Sequence, residues 1–278
     1  KSIARDQDIG LYRIVAFLTG SKNALEGAGF FIGAVLLSWL EFQGAIAVMV
    51  AMLSVVWLMS LLLLRQELGV MKAKPKFSQI FSKSEAVNRL SLARFFLFGA
   101  RDVWFVVALP VFLHEVLGWD FWQVGGYLAA WVMIYGMIQA AAPKLTGRSQ
   151  ASDVVGRQLV VFGGCLALTP AAIGLALSYG LSPVFVVTVG LLIFALLFAM
   201  NSALHSFLIV RFARDEGASL DIGFYYMANA GGRLAGTIGS GALYQWMGLE
   251  ACFWVSAGLI AIASLAAMSL PKGEVGTA

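Results

Sequence analysis

The sequence predicts an all-α protein that crosses the lipid bilayer about eight times, and three observations lead there. Of its 278 residues, 60% are hydrophobic and only 12% are charged, whereas soluble domains average about 25% charged residues. The apolar residues fall into runs of about 20, the length a helix needs to span the hydrocarbon core. The connections between these runs alternate between basic and free of Lys and Arg, as expected of a chain threading back and forth through a membrane. The lipid bilayer is therefore the first partner.

In order, the predicted spans are Ile14–Trp39, Gly44–Leu64, Leu90–Leu113, Trp122–Ala142, Leu159–Ser178, Pro183–Val210, Ile222–Trp246 and Ala251–Leu270. The connections Trp39–Gln43, His114–Phe121, Tyr179–Ser182 and Gln245–Glu250 hold no Lys or Arg. Arg65–Arg89 holds Arg65, Lys72, Lys74, Lys76, Lys83 and Arg89, and Lys144, Arg148, Arg157, Arg211, Arg214 and Lys272 mark the same side. The positive-inside rule makes that side cytoplasmic, together with both ends of this chain. Trp39, Trp119, Trp122 and Trp246 fall at the opposite interface, where indole rings settle.

Several function classes are set aside by what is missing. The formal charge of +4 is scattered over short loops and helix interiors, so no nucleic acid partner is expected. Cys165 and Cys252 both lie in apolar runs, which argues against a disulfide framework or a metal centre. No nucleophile with a base, zinc motif or phosphate loop stands out, so no catalytic residue, metal or cofactor is expected. The polar start KSIARDQDIG is not a signal peptide. It also lacks an initiator Met, so the chain is expected to begin inside a longer protein.

The stretch with the most chemistry is LSLARFFLFGARDVWFVVALPVFL, Leu90–Leu113. Arg101 and Asp102 stand near its middle, and a charge at that depth costs roughly 2.5–3.5 kcal/mol on insertion scales. Such residues face a bundle interior or a wet cavity. Arg94 precedes Arg101 by one heptad on nearly the same face. In the first span Lys22 and Glu26 share a face at i, i+4, and Asn229 and Arg233 repeat that spacing in the seventh. At about 1.5 Å per residue, Glu26, Arg101, Asp102 and Arg233 lie at one depth, near the midplane where transporters hold their substrates. Lys22, Asn23, Arg94, Arg101, Asn229 and Arg233 are the candidate substrate-binding residues. Glu26 and Asp102 are candidates for charge balance or proton coupling. The excess of cations suits a small organic anion, because guanidinium groups pair with phosphate and carboxylate through paired hydrogen bonds. The same residues could instead form structural salt bridges, Glu26 with Arg233 and Arg101 with Asp102. Asn201 and His205 are lesser candidates, for the cavity wall and for a proton cycle.

An internal repeat organises the chain. KNALEGAGFFIGAVLLSW (Lys22–Trp39) meets NAGGRLAGTIGSGALYQW (Asn229–Trp246) under a shift of 207 positions. Lys22 then falls on Asn229, Glu26 on Arg233, Ala28 on Ala235, Gly29 on Gly236 and Trp39 on Trp246. Both spans run in the same sense, a parallel repeat of the kind that relates the halves of major facilitator transporters. The expected division is residues 1–64 as the last two helices of an N-terminal half, 65–89 as a basic cytoplasmic central loop, and 90–278 as a six-helix C-terminal half with a short tail. The eight helices would then be helices 5–12 of twelve, with four preceding them.

LTGSKNALEGAGFFIGAVLL (Leu18–Leu37), FGARDVWFVVALPVFL (Phe98–Leu113) and the start KSIARD resemble the organoarsenical efflux permeases of the major facilitator superfamily, along the whole chain. The resemblance implies export of 1-arseno-3-phosphoglycerate across a bacterial inner (plasma) membrane, arsenate resistance, and a functional link to a glyceraldehyde-3-phosphate dehydrogenase. Export of another organophosphate or a drug is the alternative, and a non-transporting membrane subunit is a further one. PKLTGR (Pro143–Arg148) keeps the Gly and Arg of the superfamily's glycine-aspartate-arginine loop motif but not its Asp. Glu26 stands where the resemblance implies a basic residue.

Overall fold

The computed structural model describes residues 2–63, 82–146, 152–213 and 217–271. Among them the chain is helical without a strand, and six helices are long and apolar enough to cross a membrane. The protein is a multi-pass membrane protein. The helices are α1 (Ser2–Leu63), α2 (Glu85–Phe105), the short α3 (Ala108–Val111), α4 (Phe121–Leu145), α5 (Ser152–Ser178), α6 (Pro183–Phe212) and α7 (Ala218–Met268).

Six helices hold the eight predicted spans because α1 and α7 are each broken once. The breaks fall at Glu41 (φ 57°, ψ −177°) and Gly248 (φ 79°, ψ −175°), inside the predicted connections Trp39–Gln43 and Gln245–Glu250. In α7 the chain folds back on itself. Cys252 Sγ lies 4.0 Å from the Ser240 carbonyl oxygen, whereas twelve residues of straight helix would separate them by about 18 Å. Glu41 and Gly248 are also 207 positions apart and share almost the same rare backbone, so the repeat extends to the turn that ends each first limb. That backbone region is essentially reserved for glycine, so Glu41 holds it under strain.

Two small-residue seams set the packing. The first limb of α7 runs alongside α2 in the same direction, with Gly232 against Phe95 and Gly236 against Gly99. A Cβ on Gly236 would stand 2.5 Å from the Gly99 carbonyl oxygen, so this crossing requires glycine. The first limb of α1 runs antiparallel to α4, with Gly20 against Gly136 and Gly27 against Ala129 and Met133. A Cβ on Gly29 or Gly33, in the same limb, would meet nothing within 4 Å. An aromatic core of Trp104, Trp131, Phe194, Phe198 and Phe253 ties α2, α4, α6 and the second limb of α7 together. Residues 42–63, the second limb of α1, are almost wholly exposed, as apolar side chains can be where the solvent is lipid.

The third span departs from its predicted form at both ends. It begins at Glu85, inside the predicted 65–89 loop, because Ser84 caps the helix by accepting from the Val87 amide. Arg89, expected in the loop, lies in the helix and pairs with Glu85 and the Ser269 carbonyl. The rest of that basic loop, residues 64–81, lies outside the described residues, as do Arg148 and Lys272. At the far end the helix breaks at Val107 (φ −120°, ψ −54°). The Ala108 amide freed by the break donates to Ser240 Oγ at 3.0 Å, so α7 satisfies a donor that lipid could not.

Candidate functional site

Three crossings bring their charges together into one chain of ion pairs. Arg101 donates from Nε to Asp102 Oδ1 at 2.7 Å, with a terminal nitrogen of the same guanidinium at 2.6 Å. Arg233 donates from Nε to Asp102 Oδ2 at 2.9 Å. On its other side Arg233 lies 3.6 Å from Glu26 Oε1. The order Arg101, Asp102, Arg233, Glu26 thus alternates in sign across α2, α7 and α1. Asp102 is 1% exposed and accepts from two guanidinium groups, one on each oxygen. Arg233 and Glu26 have side chains 41% and 38% exposed, so their bridge is the wet end of the row.

The local sequence explains the placement. Asp102 follows Gly99, whose missing side chain lets α7 approach close enough for Arg233, three residues before Gly236, to reach the carboxylate. Glu26 precedes Gly27, which lays α1 against α4. The two seams therefore aim the charged side chains as well as packing the helices.

Arg94 stands apart from this row. It is 5% exposed, and no carboxylate lies within ion-pair distance of it among the described residues. One terminal nitrogen donates to Ser202 Oγ at 3.0 Å and faces the Ser202 carbonyl oxygen at 3.4 Å, while Nε is buried with no partner. The guanidinium lies 3.9 Å from the centre of the Phe98 ring and 5.2 Å from that of Tyr225. Phe98 also faces Arg101 at 5.1 Å, so both arginines lie against the same ring.

The other candidates sort as follows. Asn23 donates to Gln139 Oε1 at 2.5 Å, which joins α1 to α4. Lys22 is exposed and makes no ion pair among the described residues. Asn229 Oδ1 is buried without a partner, and Asn229 does not join the charged row. Asn201 and His205 face a narrow internal crevice with Leu97, Leu159 and Ser264, away from that row. Three residues that sequence reasoning missed, Tyr135, Gln139 and Ser202, meet beside Arg94: Tyr135 Oη and Gln139 Nε2 lie 3.2 and 3.4 Å from Ser202 Oγ. Tyr135 and Gln139 are isolated polar residues in an apolar run, and Ser202 directly follows Asn201. A glutamine within a span is itself a signal, since membrane amides seek partners on other helices, and Gln139 has two such partners.

The arrangement can hold an anion and exchange partners around it. Arg101 and Arg233 share one carboxylate that an incoming anion can replace without leaving either guanidinium bare. Compared with known families, residues 12–237 match the family model described as Major Facilitator Superfamily. No curated protein matches the chain.

Proposed function

The chain belongs to the major facilitator superfamily, a family of transporters rather than of enzymes, and from that premise we propose that it exports a small organic anion by alternating access. One observation carries the choice of an anion. Arg94, Arg101 and Arg233 outnumber Asp102 and Glu26, and the buried Arg94 is the member left without a carboxylate among the described residues. A buried guanidinium with no counter-ion is costly unless the ligand supplies the charge. A cationic drug would require the opposite excess.

In this reading Arg94, Arg101 and Arg233 bind the anion, with Lys22, Asn23 and Asn229 along its path. Asp102 and Glu26 keep the arginines paired when the site is empty. Residues 1–64 and 90–278 belong to two halves that rock about the midplane, joined by the 65–89 loop, with the basic loops and both ends of this chain in the cytoplasm of a bacterial cell. The specific anion we propose is 1-arseno-3-phosphoglycerate, supplied by a glyceraldehyde-3-phosphate dehydrogenase that accepts arsenate. Its support is the resemblance of Leu18–Leu37 and Phe98–Leu113 to organoarsenical permeases. The driving force need not be a proton. Protonating Asp102 would free both arginines and favour anion binding, so proton and anion would travel together rather than exchange. An inside-negative potential instead expels a divalent anion with about 4.6 kcal/mol per 100 mV.

The test is arsenate tolerance of arsenate-sensitive cells expressing the full reading frame with that dehydrogenase, against the Arg101→Ala and Arg233→Ala variants at matched membrane abundance. Tolerance that needs both genes and is lost in the two variants is expected. Equal tolerance with and without the permease would exclude the arsenical, and undiminished tolerance in the variants would exclude the site.

A further inference from the structure

Three donors converge on Ser202 beside a buried arginine, and that convergence points to what the group can receive. Ser202 Oγ is approached by Arg94 at 3.0 Å, Tyr135 Oη at 3.2 Å and Gln139 Nε2 at 3.4 Å. A serine hydroxyl has two acceptor sites and one hydrogen of its own to place. Tyr135 donates to Ser202 Oγ, and Arg94 and Gln139 share the site that is left, Arg94 also reaching the Ser202 carbonyl oxygen at 3.4 Å. Gln139 Oε1 accepts from Asn23 at 2.5 Å. Arg94 Nε is a buried N–H with no partner. An unmet donor costs about 1–3 kcal/mol, and this one belongs to a cation with no carboxylate in ion-pair reach among the described residues.

We propose that Arg94, Ser202, Tyr135 and Gln139 form a receptor for a phosphate-type oxyanion group, and that Ser202 and Tyr135 set its preference over a carboxylate. The proposal rests on the organic-anion reading above and names the chemical class it takes. A phosphate end offers three terminal oxygens and no obligatory hydrogen, which matches a guanidinium fork plus several neutral donors. A carboxylate has two oxygens and would leave part of this set unmet. The receptor is distinct from the charged row: Arg94 and Arg101 lie 3.9 and 5.1 Å from the centre of the Phe98 ring, and one heptad places Arg94 about 10 Å further towards the basic side of the protein. It also joins four helices, because Asn23 on α1 leans on Gln139 of α4, Ser202 belongs to α6 and Arg94 to α2. An anion that draws these donors towards itself acts on the contacts between α1 and the rest of the bundle.

The experiment titrates the full-length protein in nanodiscs with glycerol 3-phosphate and, separately, with acetate. Tryptophan emission reports binding, because Trp131 stacks on Tyr135 with ring centres 5.9 Å apart. Saturable binding of glycerol 3-phosphate at least tenfold tighter than acetate is expected. Ser202→Ala and Tyr135→Phe should each weaken the phosphate ester about tenfold, the size of one hydrogen bond to a charged group, and leave acetate nearly unchanged. Arg94→Lys, which keeps the charge but loses the fork, should weaken the phosphate ester further. Size-exclusion profiles identify any variant that fails to fold. Wild-type-like phosphate binding in folded Ser202→Ala, Tyr135→Phe and Arg94→Lys, with loss in Arg101→Gln, would overturn this receptor and leave the anion reading intact. Acetate binding as tight as the phosphate ester would overturn the preference. No binding of either anion to the wild type would overturn both.

Discussion

Replacing Asp102 by Asn tests whether one carboxylate holds the charged row together. The side chain is 1% exposed and receives Arg101 at 2.6 Å and Arg233 at 2.9 Å. At an effective dielectric of 20, each attraction is roughly 6 kcal/mol before desolvation is subtracted. Desolvation offsets most of this, and breaking a buried pair by removing one partner costs about 3–5 kcal/mol. Arg101 should carry most of that cost, because it is buried, whereas Arg233 can turn towards water and Glu26. Arg101→Gln leaves Asp102 its bond from Arg233, so a smaller loss of about 1–3 kcal/mol is expected. The double variant should cost less than the two singles together, with a coupling of about 2–3 kcal/mol. Equilibrium unfolding in mixed detergent micelles, followed by tryptophan emission, measures all three. Inorganic phosphate should restore part of the stability of Asp102→Asn, since an anion can take the place of the missing carboxylate. A loss below about 1 kcal/mol for Asp102→Asn, or strict additivity, would refute the shared-carboxylate account.

Other outcomes follow from the same geometry. Glu26→Gln should change stability by less than about 1 kcal/mol, because its bridge to Arg233 is long and wet; the same unfolding assay measures it. Gly236→Val should destabilise by about 1–3 kcal/mol or more, since its side chain meets the Gly99 backbone, and a thermal shift in detergent reads that loss. Glu41→Gly should stabilise, and Gly248→Ala should destabilise, each by about 1–3 kcal/mol, because both positions hold a backbone suited to glycine. Uptake into inside-out vesicles, which corresponds to export from the cell, should respond to the membrane potential more strongly than to a pH gradient of equal energy. Dissipating each gradient with a selective ionophore separates the two.

The spans were legible because bilayer thickness imposes a length on every apolar run, and the turns because the connections near Glu41 and Gly248 lack apolar continuity. The 207-position repeat was legible through small residues and tryptophans, and the matching turns show that it records geometry as well as composition. The start of α2 was not legible, since the turn from Glu85 to Arg89 is polar and resembles loop; only the Ser84 cap marks it. The break at Val107 leaves no trace in an apolar sequence, because Ser240, far along the chain, supplies the missing partner. Charged residues were visible one by one, for charge is rare in a span, but their order along the row depends on how closely Gly99 and Gly236 let two helices approach. Ser202, Tyr135 and Gln139 were invisible as a group. They belong to two helices and meet only through the packing of α4 on α6.

In the proposed anion-export reading, the contrast between the two polar groups accounts for how the carrier can stay reversible. A row of bare arginines would bind an anion tightly and also resist reorientation when empty, since unpaired charge is expensive to bury. Asp102 and Glu26 remove that barrier by pairing Arg101 and Arg233 internally, so the empty row carries no net charge. Full neutrality would in turn remove the attraction that draws substrate in. Arg94, with donors around it and no carboxylate within reach among the described residues, keeps one positive charge near the row. In this account recognition lies with Arg94 and its neutral partners, while release depends on Asp102 recapturing Arg101 and Arg233. Adding a carboxylate beside Arg94, as in Ser202→Asp, should therefore abolish uptake of the anion into its site more completely than it lowers stability.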